Sequence, residues 1–229
     1  MKPSIQLYGG VHNDPGSRQK FIEELAKQKT LPHFVAVEWE ESIFQRVAAW
    51  RPWLTERLRK RWNFLTRADC DDLSCALGWE GDASTTLPRF SGIERVWLDH
   101  GYQEACLTAA NRLESFPKGG ACILHQWFDD EGRLPPTPRS KPELVDRVWR
   151  RLWAQVKPEP WGDGWPEPVE LERDARWAAA IEQRCAAVHG GWVAVAVGWQ
   201  HADPGGPPQR LPGLLSSKGF SINSVCLGP

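Results

Sequence analysis

The sequence predicts an α/β fold: a mostly parallel central sheet with flanking helices, carrying helical and Trp/Pro-rich insertions. Three observations lead there. Residues 193–197 (VAVAV) form an unbroken apolar run ended by Gly198, the pattern of a strand buried on both faces of a sheet. Residues 5–8 (IQLY), a helix-spaced stretch to about Lys29 and residues 34–37 (FVAV) spell a strand-helix-strand unit, which makes the two strands parallel. Finally, two of these strands run directly into Gly-x-x-His, as Gly9-Gly10-Val11-His12 and Gly198-Trp199-Gln200-His201. In open α/β sheets the carboxyl ends of the strands are where ligands bind.

The elements follow in order. Ser17 is the expected N-cap of the first helix, with Phe21, Ile22 and Leu25 as its apolar stripe. Pro32 separates it from the strand 34–37. Residues 42–67 read as helix interrupted at Pro52, with Leu54, Leu58, Trp62 and Leu65 at helical spacing. Residues 69–88 are polar and glycine-containing, with no regular period. A third strand is expected near 91–94, a helix over 103–113, and a strand over 121–125 after a Gly-Gly turn.

Pro135 and Pro136 make 129–140 a loop. Residues 142–156 form a helix with Leu144, Val145, Val148, Trp149, Leu152 and Val156 on one side. Residues 157–168 (KPEPWGDGWPEP) are a linker or lid, and a helix follows over about 171–188. After the VAVAV strand, Pro212 opens a short helix capped by Gly219, and 220–226 is the last strand. The whole reads as a single domain, 1–229, with insertions around 50–88 and 129–168.

Composition narrows the function classes. With 229 residues and 41% hydrophobic content the chain supports a substantial core. Mean hydropathy is −0.49, and no apolar run approaches the length of a bilayer span. The opening residues pass straight into a strand without a signal-peptide pattern, so a cytoplasmic protein with no membrane partner is expected. Net charge of −1 gives no electrostatic reason to expect nucleic acid, and the basic run 57–61 reads as the wet face of a helix. Six cysteines without a Cys-x-x-Cys pair read as reduced thiols rather than a thiolate metal site. The 14 tryptophans would line a pocket or interface, or build an indole-rich core.

A metal centre needs imidazoles and carboxylates converging from separate elements. His12 and His201 follow strands, Glu38 and Glu40 stand at a strand end, and Glu94 stands near another. Asp14 and Asp203 each follow a histidine by two residues, and Glu40 follows Glu38 by two on the same strand face, suitable positions for outer partners of the ligands. The bland alternatives are loop histidines and a Glu38 that is merely the first wet residue past a strand. His33, His100, His125 and His189 lack such surroundings and read as structural. Arg173 borders the stripe formed by Trp177, Ile181 and Cys185, where a guanidinium orients a carboxylate or stabilises an oxyanion. The alternative is a surface arginine covering apolar area. A cation in the first turn opposes the helix dipole, which favours a specific role.

Two Gly-x-x-His motifs, a strand ending Val-Glu, a Gly-Ile-Glu, and Glu-Arg-Asp-x-Arg-Trp before an apolar strand together resemble the TraB/TIKI family, within a superfamily that includes ChaN-like and erythromycin-esterase-like proteins. The stretch VAVAVGWQHADPGGPPQRLPGLLSSKGFSI is similar to that family's terminal pattern, and HNDPGSRQKF resembles the opening of ChaN-like proteins. The resemblance covers both ends and part of the middle, leaving out roughly 50–88 and 129–168. It implies a divalent-metal site formed by His12 and His201 with acidic residues, and metal-dependent peptidase activity. It matches Glu38 to the strand-end glutamate, Glu94 to the second glutamate and Arg173 to the arginine. The first motif departs from the pattern at Gly10, where relatives carry Thr or Glu.

The expectation is therefore a metal-dependent hydrolase. His12 and His201 hold Mn, Co or Zn, Glu38 or Glu94 is ligand or base, and Arg173 stabilises charge. The substrate is a peptide or a small molecule, with an ester or lactone as the alternative to a peptide bond. The rival class is a non-enzymatic protein that holds a peptide or small ligand with Trp149, Trp153, Trp161 and Trp165.

Overall fold

The structure, a computed structural model, describes residues 1–99, 138–156 and 168–229. The expected helix over 103–113, strand over 121–125 and most of the two loops fall outside them. Among the described residues five strands form one parallel sheet: β1 (Ser4–Gly10), β2 (Phe34–Val37), β3 (Glu94–Trp97), β4 (Trp192–Gly198) and β5 (Ile222–Cys226), in spatial order β3-β2-β4-β1-β5. The α/β fold expected from the sequence is present. β4 returns between β1 and β2, so both Gly-x-x-His strands lie side by side at the centre with β2 next to them. Gly10 stands opposite Gly198, and Val37 opposite Ala196.

β4 is buried along its whole length because both of its faces are covered. Side chains alternate across a strand. Val193, Val195 and Val197 face Trp177, Ala178, Ile181 and Cys185 of α5 (Pro168–Cys185) and Leu211 and Leu215 of α7 (Leu211–Ser217). Ala194 and Ala196 face Phe21 and Leu25 of α1 (Pro15–Lys27), together with Trp79 and Phe90. Each fully buried valine or leucine contributes about 1.5–3 kcal/mol relative to exposure. A third cluster joins α2 (Glu41–Arg61), α3 (Arg67–Ser74) and α4 (Lys141–Val156) through Leu54, Leu58, Leu73, Leu144 and Val148.

Several boundaries differ from expectation. α1 is capped by Asp14, not Ser17: its carboxylate accepts from the amides of Gly16 (3.2 Å) and Ser17 (2.8 Å), and Pro15 takes the first helical position. α2 runs through Pro52. Buried Phe44 and Val47 before it and Leu54 and Leu58 after it hold one face, and that packing outweighs the proline penalty of about 3 kcal/mol. The segment 69–88, which showed no regular period, begins in α3 with a Thr66–Asp69 capping box and continues as tight helical turns. β3 starts at Glu94 instead of ending there, in register with Phe34. α5 starts at Pro168, which moves Arg173 out of the first turn and removes the dipole argument for it. Among the described residues no helix is long and apolar enough to cross a membrane.

Candidate functional site

The carboxyl ends of the three central strands deliver the site. β1 ends at Gly10 and places His12 just beyond it. β2 ends at Val37 and places Glu38. β4 ends at Gly198, and the short helix α6 (Trp199–Ala202) carries His201. The backbone turn after His12 is made by Asn13, whose φ of 60° lies in the left-handed region that asparagine tolerates. Gly198 has φ −58° and ψ 143°, open to any residue, so its glycine has a different reason. A Cβ there would lie 3.1 Å from His12 Nε2 and 3.3 Å from Glu38 Oε2.

Glu38 is buried at the centre. Its Oε2 accepts from the Gly198 amide at 2.5 Å, and its Oε1 accepts from Arg173 Nη2 at 2.9 Å. Each histidine faces one of its oxygens: His12 Nε2 lies 3.6 Å from Oε2, and His201 Nε2 lies 3.5 Å from Oε1. Glu170 Oε2 is 3.3 Å from His201 Nε2. Burial disfavours the Glu38 anion, but His201, His12 and Arg173 outweigh it and hold the carboxyl well below the usual range. Burial likewise opposes a charged His12, yet Glu80 and Glu38 hold that imidazole well above the ordinary histidine range.

Each histidine also meets a carboxylate on its other nitrogen. His12 Nδ1 lies 2.5 Å from Glu80 Oε1, and His201 Nδ1 lies 2.5 Å from Asp174 Oδ1. Glu80 comes from the tight turn Trp79–Gly81, which is fastened to the His12 loop on both sides. The Gly78 amide donates to Asn13 Oδ1 (2.9 Å), and Trp79 Nε1 donates to the Val11 carbonyl (3.0 Å). Asp174 shares the buried face of α5 with Trp177, Ala178 and Ile181. Its Oδ2 accepts from the Leu211 amide and lies 2.8 Å from Arg210 Nε.

Of the expected site residues, the structure brings together His12, His201, Glu38 and Arg173. Arg173 bridges carboxylates: besides Glu38 it donates to Asp99 (2.8 Å) and Glu170 (3.3 Å), and it stacks on Trp177. Its position is that of an organiser of acids rather than of an oxyanion donor. Glu94 is corrected. It stands at the amino end of β3, the end of the sheet away from Glu38, exposed and paired with Arg184, because the strand begins at it.

Asp14, Asp203 and Glu40 are not the outer partners expected of them. Asp14 caps α1, and burial pushes its carboxyl up to about 6 against the hydrogen bonds it accepts there. Asp203 accepts from the Gly205 amide (2.9 Å). Glu40 stands at the N-cap position of α2 without a side-chain bond to the helix amides, and accepts from Ser42 Oγ. The residues the sequence did not single out are Glu80, Asp99, Glu170, Asp174 and Arg210. Glu80 lies within 50–88, a segment expected to be only an insertion.

The tryptophans proposed for a binding surface are packed where they are described. Trp149 covers Gly16 and donates to the Leu227 carbonyl at 3.2 Å, and buried Trp153 packs near Trp199. Trp161 and Trp165 fall outside the described residues.

Imidazole and carboxylate are side chains that ligate divalent cations such as zinc. Two ligands sharing an ion at about 2.1 Å each, at a tetrahedral angle, stand about 3.4 Å apart. The His12–Glu38 and His201–Glu38 separations of 3.6 and 3.5 Å are close to that. As placed, no three His, Cys, Asp or Glu side chains among the described residues form a group that would hold a metal ion. Among the described residues around the centre, five carboxylates (Glu38, Glu80, Asp99, Glu170, Asp174) meet two guanidiniums (Arg173, Arg210) and the imidazoles of His12 and His201. Comparison with protein-family models, curated proteins and solved structures returns no match.

Proposed function

We propose that the protein is a metal-dependent hydrolase whose ion, Mn, Co or Zn, is held by His12, Glu38 and His201. The observation that carries this is the approach of two imidazole Nε2 atoms to opposite oxygens of one buried carboxylate. At 3.5–3.6 Å these contacts are too long to be good hydrogen bonds. Two imidazole nitrogens facing one buried carboxylate, with further acids close by, support a shared cation. Glu170 is the nearest further donor, 3.3 Å from His201 Nε2.

A divalent ion bound there supplies an activated water and polarises a substrate carbonyl. The chain's own residues do the rest. Glu38 is kept ionised by Arg173 and the Gly198 amide. Glu170, partly exposed beside His201, replaces Glu94 as the base that accepts a proton from water. Arg173 keeps Glu38, Asp99 and Glu170 together without their mutual repulsion. The resemblance points to a peptide bond, with an ester or lactone as the alternative.

Metal analysis of protein purified without chelator, repeated on His12→Ala and His201→Ala, tests the reading. Stoichiometric metal in the parent and its loss from both variants is expected; the same content in all three proteins would end the proposal. Peptide and ester panels with Mn, Co and Zn then identify the bond cleaved.

A further inference from the structure

The side of each imidazole that faces away from Glu38 is built as tightly as the side that faces it. We propose that Asp174 and Glu80 are positioning residues that hold His201 and His12 with a proton on Nδ1, so that both Nε2 atoms are presented to Glu38. The geometry rests on observed contacts alone; its use in catalysis rests on the metal reading above.

An ionised carboxylate only accepts hydrogen bonds. At 2.5 Å from Glu80 Oε1 and from Asp174 Oδ1, each Nδ1 is therefore the donor. Both carboxylates are fully buried, and their second oxygens are tied down. Glu80 Oε2 accepts from Trp39 Nε1 at 3.1 Å. Asp174 Oδ2 accepts from the Leu211 amide at 3.1 Å and faces Arg210 Nε at 2.8 Å. Neither carboxylate can turn without breaking these contacts, so each fixes the plane of its imidazole as well as its proton. They reach their histidines from 68 and 27 residues away in the chain, on unrelated elements. The same device is thus assembled twice, once behind each ring.

Arg210 makes Asp174 decisive. Its Nη2 donates to the Gln200 carbonyl and also lies 2.8 Å from His201 Nδ1. An arginine can only donate. Without the carboxylate, Arg210 becomes the neighbour that sets the proton, Nδ1 becomes the acceptor, and the proton moves to Nε2. That places a hydrogen where a metal ligand needs a lone pair. The wrong tautomer is the known consequence of replacing the aspartate behind a serine-protease histidine by asparagine.

The test uses the full-length protein labelled with 15N-histidine, with Asp174→Asn and Glu80→Gln as variants. Correlation of ring protons with ring nitrogens should show a strongly hydrogen-bonded, downfield Nδ1 proton on both His12 and His201. Asp174→Asn should remove it from His201 alone, and Glu80→Gln from His12 alone. Co2+ affinity should fall about 10- to 100-fold in each variant, with the melting curve recording whether the fold is kept. Glu80→Gln is isosteric and leaves His12 still facing Glu38, so it remains informative if Asp174→Asn does not fold. A parent protein lacking either Nδ1 proton, or variants that keep both, overturns the proposal. A parent that shows both protons but binds no Co2+ overturns the metal reading and leaves the positioning role standing.

Discussion

Replacing Arg173 by methionine keeps most of the side-chain volume and removes the charge. Three carboxylates then lose their common partner: Glu38 at 2.9 Å, Asp99 at 2.8 Å and Glu170 at 3.3 Å. The Arg173 side chain is 13% exposed and that of Glu38 5%, so water does little to screen the loss. Breaking a buried ion pair by removing one partner costs about 3–5 kcal/mol. For a domain of this size each kcal/mol lowers the melting temperature by roughly 2–4 °C, so a fall of about 6–20 °C is expected. Thermal unfolding followed by circular dichroism measures it. The double variant Arg173→Met/Asp99→Asn should recover part of the loss, because one of the stranded anions is gone. A fall under about 3 °C, or strict additivity with Asp99→Asn, would show that the acids do not depend on Arg173 and would undo the electrostatic argument for the cluster.

Gly198→Ala should separate folding from binding. The backbone accepts alanine, but the new methyl would sit 3.1 Å from His12 Nε2 and 3.3 Å from Glu38 Oε2, inside the usual contact distance of about 3.5–4.0 Å. A stability loss of about 1–2 kcal/mol with Mn2+ affinity reduced about tenfold or more is expected by calorimetry. Gly92→Ala, where a Cβ meets nothing within 4 Å, should change neither. At a distance from the site, Asp72 ties α3 to Arg18 of α1 and Lys141 of α4. Burial opposes its charge, but hydrogen bonding and the two cations lower its pKa in the folded protein. Its contribution is therefore present above the unfolded value of about 3.9 and lost as pH falls through the lower folded value. With solvent and salt screening at this half-exposed carboxylate, Asp72→Asn should cost at most about 1 kcal/mol at pH 7. Denaturant curves at pH 7 and near pH 2 should show the difference shrinking in acid; an equal cost at both refutes the assignment.

Much of the frame could be read from local pattern. The run 193–197 had to be a strand with two covered faces, because five consecutive apolar residues have no wet side. A strand that carries a chemical group at its carboxyl end puts it at one edge of a parallel sheet. Hence His12, Glu38 and His201 could be expected to meet before any contact was known, and Arg173 followed from its place beside a buried helical stripe. The error at Glu94 comes from the same logic: moving the start of β3 onto that residue sends it to the other edge of the sheet.

What the amino-acid order alone determined was which residues end the central strands, since hydrophobic period is a local property. The outer partners of the histidines were decided only by the tertiary structure. Asp14 and Asp203, the nearest acids in sequence, are consumed by backbone amides next to them, as aspartates close to a turn commonly are. The carboxylates that reach the imidazoles, Glu80 and Asp174, arrive over 68 and 27 residues. Their approach depends on how a tight turn is pinned to the β1 loop and how α5 lies against β4. No short-range signal records such an approach, because its energy comes from packing that exists only once the chain has folded.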